Sequence, residues 1–452
     1  MTTPAVLIGD GIPVRCLDGR ERRYANLDCA ASTSALPEVA ERVATFLPWY
    51  SSVHRGAGYK SQLSTTTYEA ARARVLEFAG RADRDDVAIF CRNTTEAINH
   101  LAYRLALRPG DVVLTTVVEH HANLLPWTRA ATCRYVECER DGRFGVDAIL
   151  AALDVPPRPR LLAITGASNV TGWMPPLAEI AAAARERGVP VLVDAAQLAP
   201  HLPLPSDVEF VAFSGHKMYA PFGTGALIGP RAAFESGDPF LAGGGAVDLV
   251  DLDEVVWTGL PDREEAGSPN VLGAVALGAA AEALPAIGWE RIRTHDNALA
   301  ARLLDGLRAI DGVRVLGPDR GADRLPIATF TIDGVPHALA AARLSAEFAI
   351  GVRHGCFCAH PYVVRLLALD RGELSRFRAA ARRHDRCALP GAVRASAGLS
   401  TTSEEIERLL AAVATVAHTP PPAEYERDPH SGDYWPRDLS CPAPAARSIA
   451  GP

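Results

Sequence analysis

Short apolar runs alternate with amphipathic stretches between about residues 65 and 300. Pro190 to Val193 is apolar throughout and stops on Asp194, and Phe210 to Phe213 stops on Ser214-Gly215-His216-Lys217. Runs this short, apolar at every position, predict strands buried on both faces, as in a parallel sheet. Further strands are predicted at residues 88–90, 111–118 and 160–165, with an edge or antiparallel strand at 224–228. Helices are predicted between them: 65–79, closed by Gly80, and 175–187, with Pro175 early and Gly188 just past the end. Strands and helices in alternation are the signature of βαβ units. A long helix starting near residues 274–284 leads into a second unit, where a strand at 327–332 and a helix at 403–418 read as α+β. From Thr419 the chain is Pro-rich and aperiodic, which predicts an extended or disordered tail. No internal repeat is present. The expected organisation is an N-terminal segment, 1–50, packing with the smaller unit; a large domain, 51–300; a small domain, 301–418; and a tail, 419–452.

An acid closing one strand and a lysine following the next mean more together than apart. A lone lysine is ordinarily a surface residue. An acid that keeps a pyridine nitrogen protonated, beside a lysine able to form a Schiff base, is the pair that pyridoxal 5'-phosphate requires. Asp194 and Lys217 are the candidates. Asn93-Thr94-Thr95-Glu96 falls where a strand passes into a helix, so free N–H groups and threonine hydroxyls would face a phosphate. The same residues also read as an ordinary N-cap with Glu96 in the first turn. His120, in Glu119-His120-His121, follows a predicted strand. An imidazole there can stack on a flat cofactor and move protons, or simply belong to a polar loop. Asn169, and Gln197 one turn beyond Asp194, can hydrogen-bond a ring hydroxyl.

Composition narrows the classes. With 46 basic and 53 acidic residues the net charge is -7, which gives no global signature of nucleic-acid binding. No apolar run reaches the roughly 18 residues of a membrane span, and the first residues lack the basic-then-apolar order of a signal peptide. The expectation is a cytoplasmic protein with neither nucleic acid nor membrane as partner. Nine cysteines, odd in number and scattered, predict no disulfide framework, and the absence of C-x-x-C pairs predicts no metal site. Cys356-Phe357-Cys358 is the one close pair. The 452 residues suffice for a large α/β domain with a smaller companion.

The motifs resemble, in order, those of the class V aminotransferase family of fold-type I pyridoxal-phosphate enzymes, and within it the cysteine desulfurase and selenocysteine lyase group. The matching stretches are Leu27 to Ala31, Ser52 to Gly56, Asn93 to Asn99, Glu119 to Trp127, Ala167 to Val170, Val193 to Gln197, Phe213 to Lys217, Glu265 to Asn270 and Arg394 to Ser396. The resemblance implies a large, mostly parallel seven-stranded sheet with helices on both faces, plus a smaller α+β domain. It implies that Lys217 forms the Schiff base and shuttles protons, that Asp194 pairs with the pyridinium nitrogen, and that His120 stacks on the ring. Gln197 and Asn169 would lie near the ring oxygen. Thr94, Thr95, Ser214 and His216 would hold the phosphate. Ser268 would reach the phosphate of a neighbouring subunit, which implies a homodimer. Arg394 would clamp the substrate carboxylate, a task suited to its bidentate fork.

Cys358 separates the possible activities. Its segment, Gly351 to Ala359, resembles the one carrying the desulfurase persulfide cysteine, with Arg353 and His354 supplying positive charge near thiol and substrate. The resemblance implies conversion of L-cysteine to L-alanine with a persulfide on Cys358, and a sulfur-acceptor protein as a possible partner. Alternatives on the same machinery are a selenocysteine lyase, a carbon–sulfur β-lyase acting on a cysteine conjugate, an epimerase or an aminotransferase. A non-catalytic binding protein is the remaining class. Three features depart from the group. Residue 166 is Gly where a histidine is common, Cys356 adds a rival or resolving thiol, and residues 366–391 form a long insertion with six arginines against three acids. That insertion could wall in an anionic substrate, dock a partner, or simply be a solvated helix.

Overall fold

The structure is a computed structural model, in which residues 3–319 and 321–437 are described. Seven strands form the main sheet: β1 (Asp86–Cys91), β2 (Val112–Thr116), β3 (Thr132–Val136), β4 (Leu161–Thr165), β5 (Val191–Asp194), β6 (Phe210–Ser214) and β7 (Gly225–Pro230). Their order is β1-β7-β6-β5-β4-β2-β3; β2 to β6 run parallel, and β7 is antiparallel to both β1 and β6. Side chains alternate along each strand, so one face carries Leu114, Leu162, Ile164, Val193, Val211 and Phe213, and the other Val113, Leu161, Ala163, Leu192 and Ala212. Both sets are buried, which is why these strands are apolar at every position.

Helices α1 (Tyr59–Phe78), α2 (Thr94–Arg104), α3 (Leu177–Glu186) and α4 (Val271–Ile287) supply the covering layers. α2 contributes Ala97, Ile98 and Leu101 to one core, and α3 and α4 contribute Ile180, Ala184, Leu277 and Leu284 to the other. At Gly288, with φ of 97°, the chain turns by 80° into α5 (Trp289–Arg308). The long helix expected there is therefore two, broken where only glycine adopts the required φ readily. Among the described residues no single helix is long and apolar enough to cross a membrane.

A second, antiparallel sheet contains β8 (Val313–Leu316), β9 (Ile327–Ile332), β10 (Arg353–Gly355) and β11 (Ala392–Ser396), in the order β8-β9-β11-β10. It shares a separate core with α5, α6 (His337–Phe348) and α9 (Ser403–His418), including Leu303, Phe330, Leu344, Val393 and Leu409. Between β10 and β11 lie α7 (His360–Leu366) and α8 (Arg371–Arg382). The N-terminal residues Ala25–Asn26 pair in parallel with Ile350–Gly351.

β7 is antiparallel, one of the two placements expected for it, and lies inside the sheet. Two expectations change. β3 was not predicted, because an exposed edge strand carrying Thr, Arg and Tyr lacks an apolar run. The tail is ordered over residues 419–437. Arg343 Nη1 donates to Thr419 O at 2.9 Å, Tyr425 Oη to Glu347 at 3.0 Å, and Tyr425–Arg427 pairs with Tyr434–Pro436. Anchoring bonds hold this hairpin where no hydrophobic period would have revealed it. The rest of the expected tail, 438–452, lies outside the described residues.

Candidate active site

β4, β5 and β6 end side by side, and the loops that leave them meet the second sheet around a cavity of about 230 Å³. Asp194, Lys217, His120, Asn169, Gln197, Thr94, Thr95, Ser214, His216, Arg353, Cys358 and Arg394 all line it. Parallel sheets place ligands at such C-terminal strand ends.

Asp194 closes β5 and is 5 % exposed. One carboxylate oxygen accepts from Ala196 N at 3.0 Å; the other has no partner among the described residues. Burial raises its pKa, against which the Ala196 N–H and the Lys217 charge hold it down. Lys217 follows β6 in a single helical turn, is half-buried where it lines the cavity, and makes no hydrogen bond among the described residues. Burial, assisted by Arg394 and Arg353 and opposed by Asp194, lowers its pKa to about 8. His120 Nδ1 accepts from Ala122 N at 3.0 Å, which leaves the proton of the neutral ring on Nε2. Burial first, then the Lys217 charge, lowers its pKa to about 3, so the ring is neutral at physiological pH.

Asn93 caps α2 through a bond from Glu96 N at 3.0 Å, so the plain N-cap description holds. The same turn also faces the cavity. Thr94 Oγ1 lies 2.6 Å from Ser214 Oγ, which joins it to the end of β6. Gly225 makes the approach possible, since a Cβ there would stand 3.0 Å from Asn93 Cα and 2.4 Å from Phe213 O. Gln197 Nε2 donates to Ala30 O and Asn169 Nδ2 to Phe357 O, both at 2.7 Å.

Arg394, 2 % exposed, rises from β11. Its Nη1 donates to Asn169 O at 2.8 Å and its Nη2 to Asp28 Oδ1 at 2.9 Å, while Nε is buried with no partner among the described residues. Asp28 Oδ2 accepts from Arg353 Nε at 3.1 Å, so one carboxylate joins both arginines. Asp28 had no role in the sequence reading, although it lay in a matching stretch. A lone acid carries no periodic signal, and only the pairing across 366 residues exposes it. Glu119 was missed for the same reason. It is fully buried beneath the site, accepts from Thr116 Oγ1, Asn123 Nδ2 and Thr165 N, and burial pushes its pKa up to about 8.

Cys358 is exposed, and Phe357 and Cys358 have φ of 52° and 54°. Successive left-handed non-glycine residues cost about 1–2 kcal/mol each. Asn169 Nδ2 holds the Phe357 carbonyl, His121 N holds that of Cys358 at 2.7 Å, and the Arg394 guanidinium lies 5.1 Å from the Phe357 ring centre. Residues two apart on an extended segment would face the same way, which is what makes Cys356 a rival to Cys358; this turn separates the two thiols. Cys356 points into the core, 6 % exposed. Its Sγ donates to Pro390 O at 2.8 Å, and burial pushes its pKa up to about 12. It does not line the cavity.

No residue of the insertion 366–391 lines the cavity either. Ser268 lies in a second, wider cavity with His54, Arg55, Asp262 and Gly267. There His54, Glu69 and Asp262 bring three ligand-type atoms within 4.8 Å of one another. Arg72 Nε, 2.9 Å from Glu69, already supplies a positive charge to that cluster.

The donor set suits a flat phosphorylated pyridine. An amine and a carboxylate oxygen without partners among the described residues face one cavity, with hydroxyls and a helix start at its rim. Comparisons with known proteins agree. The chain is 33% identical over 424 residues to a cysteine desulfurase of Pectobacterium atrosepticum, covering 91% of this chain and 97% of that protein. It is 34% identical over 417 residues to a cysteine desulfurase of Cronobacter sakazakii, covering 89% and 96%. The apo structure of a cysteine desulfurase from Thermococcus onnurineus superposes with a TM-score of 0.77 at 29% identity, covering 87% of this chain and 94% of that one. A cysteine desulfurase structure from Escherichia coli gives 0.73 at 32% identity, covering 86% and 94%. Residues 25–409 match the model of the class-V aminotransferases, and the chain belongs to that family.

Proposed function

We propose that the protein is a pyridoxal-phosphate-dependent cysteine desulfurase that converts L-cysteine to L-alanine and keeps the sulfur as a persulfide on Cys358. The supporting observation is an exposed thiol on a pinned, strained turn, in one cavity with a lysine, an acid and a buried arginine. Similarity to cysteine desulfurases over most of the chain supports the same activity.

Bound cofactor would supply an electron sink for the substrate's Cα. Lys217 would attach it and carry a proton to and from Cα, and the pKa of about 8 suits that exchange near neutrality. Asp194 would hold the ring nitrogen protonated, and neutral His120 would lie against the ring. Gln197 and Asn169 would flank the ring oxygen; Thr94, Thr95, Ser214 and His216 would hold the phosphate. Arg394 would take the substrate carboxylate, with Arg353 at the cavity mouth. The Cys358 thiolate forms a bond to the substrate sulfur as the carbon–sulfur bond breaks. The carbon fragment keeps the electron pair, takes up the thiol proton and leaves as alanine, so no outside oxidant is needed.

A homodimer completes the proposal. Ser268 and Arg55 line a cavity away from Lys217, beside a hairpin, Val247–Val250 with Val255–Trp257, whose Leu249, Val250 and Val255 are exposed. A second subunit would cover that apolar surface and bring Ser268 to its own cofactor phosphate. We place the protein in the cytoplasm because all eight described cysteines are free. The large domain, 51–300, and small domain, 301–418, are part of the proposal: two cores support the division, although Tyr362, Val363 and Leu366 of the second unit pack into the first core, as do Leu7, Leu36 and Val39 of the N-terminal segment expected to pack with the small domain.

Cys358→Ser provides the test. The variant should bind cofactor and L-cysteine but form no persulfide and no alanine. Substrate consumption at an undiminished rate, with pyruvate and ammonia as products, would refute the desulfurase and leave a carbon–sulfur lyase.

A further inference from the structure

The insertion between Cys358 and Arg394 is built onto the thiol loop at both ends. α7 begins at His360, two residues past Cys358. At the far end Pro390 O accepts from Cys356 Sγ, and the turn at 386–388 is held by the Arg427 guanidinium bonding Cys387 O. Between these anchors stands α8, of which only Ala380 is buried.

Its charge is unusual. Arg371, Arg376, Arg378, Arg382, Arg383 and Arg386 are all exposed. None of their side chains makes an ion pair or hydrogen bond among the described residues. Surface arginines elsewhere do pair: Arg187 with Asp154 at 2.7 Å, Arg231 with Asp85 at 3.0 Å, and Arg293 with Asp323 at 2.6 Å. Two of the insertion's three acids are engaged in the helix's own capping box, Asp370 with Glu373. The result is a concentrated positive face on a chain of net charge -7. Nothing in the cavity uses it, and like charges held together without partners repel one another. They become favourable when an anionic surface meets them.

We propose that this arginine face is the docking surface for an acidic protein that receives sulfur from Cys358, an inference that rests on the desulfurase reading. A folded acidic surface fits better than a nucleic acid. The 12-residue helix is only about 18 Å long, so a polynucleotide would run on over an acidic chain, and the helix's one aromatic residue, Phe377, is half-buried and ill-placed to stack bases. In the transfer, a partner thiolate attacks the outer persulfide sulfur. A new S–S bond forms as the old one breaks, and Cys358 leaves as thiolate. The partner's thiol is the only co-reactant.

The test uses the cofactor-loaded full chain and a variant carrying Arg376→Glu, Arg378→Glu, Arg382→Glu and Arg383→Glu. The probes are two single-cysteine peptides, one rich in Asp and Glu, the other with Asn and Gln in their place. At low salt the acidic peptide should support alanine formation about tenfold better than the neutral one. That preference should vanish in the variant and in high salt, while turnover supported by dithiothreitol stays unchanged. Retention of the preference by the variant, no preference in the native protein, or tighter binding of single-stranded RNA than of acidic peptide would overturn the docking proposal. Anisotropy of cysteine-free peptides measures docking without turnover. Absence of alanine from L-cysteine with any acceptor would instead refute the desulfurase reading.

Discussion

In the proposed function Lys217 must lose a proton before its amine can add to an aldehyde, so the pH at which the apo protein captures pyridoxal phosphate would report directly on the cavity. Burial removes the ammonium from water, and Arg394 and Arg353 repel it. Asp194 and Cys358 oppose them, and the balance sets a pKa of about 8 in place of 10.5. At pH 7.5 an amine of pKa 8 is neutral in about a quarter of molecules, against about one in a thousand for an ordinary lysine. The reactive fraction is thus larger by a factor on the order of 200.

Stopped-flow mixing of apo protein with pyridoxal phosphate across the pH range would follow capture, and borohydride trapping with peptide mapping would confirm Lys217 as the site. The rate should rise with pH and level off just above pH 8. Two variants fix the sign. Asp194→Asn removes the charge that favours the ammonium, so the midpoint should move to lower pH. The new side chain can still accept from Ala196 N, which protects the turn. Arg394→Gln removes a charge that disfavours the ammonium and should move it upward. A midpoint near 10.5, or an upward shift in Asp194→Asn, would refute this account of the site's electrostatics.

Asp28→Asn loses the charge shared by Arg394 and Arg353. The KM for L-cysteine should rise about tenfold with kcat within about twofold, and a loss confined to kcat would argue against a positioning role. Arg81→Met should cost about 1–3 kcal/mol in urea unfolding, because it removes the 2.7 Å partner of buried Asp86, which keeps only Arg84 at 3.3 Å, and frees the Val208 carbonyl that Arg81 now bonds. Cys356→Ala should leave alanine formation within about twofold of the native rate, and iodoacetamide should label Cys358 well before Cys356.

Main-sheet strands were legible wherever burial on both faces made every position apolar. β5 and β6 ended within a residue of the expected positions, and β9 and α9 matched their expected bounds. The lysine and acid were legible because their strands are adjacent in the sheet and end together. Elements held by polar contacts were not. The hairpin at 425–436 rests on Arg343, Glu347 and Arg427, and the turn at Phe357-Cys358 rests on the Asn169 amide and His121 N. Left-handed φ at two non-glycine residues leaves no mark in composition. The sequence therefore suggested an extended loop on which Cys356 could rival Cys358, where the structure has Cys356 buried and Cys358 exposed.

Residues 25–33 show why the same limit applies to the site's geometry. Ala25 and Asn26 extend the second unit through Ile350 and Gly351, and Ser396 N donates to Leu27 O at 2.7 Å. Asp28 then bonds both arginines, Ala30 O accepts from Gln197, and Thr33 N donates to His216 O at 2.9 Å. Within nine residues this segment touches the strands that carry Arg394 and Arg353, the turn after Asp194 and the residue before Lys217. A misplacement of about 1 Å between reacting groups can cost on the order of 100-fold in rate. Fixing Arg394, the proposed carboxylate site, relative to Lys217 through this one segment guards against that loss. The Cys358 thiol, which in the proposed reaction approaches a sulfur and then presents it outward, sits instead on a strained turn clamped at its two carbonyls. Rigidity where substrate is held, and a tethered, exposed side chain where sulfur leaves, is the division of labour that a transfer enzyme needs.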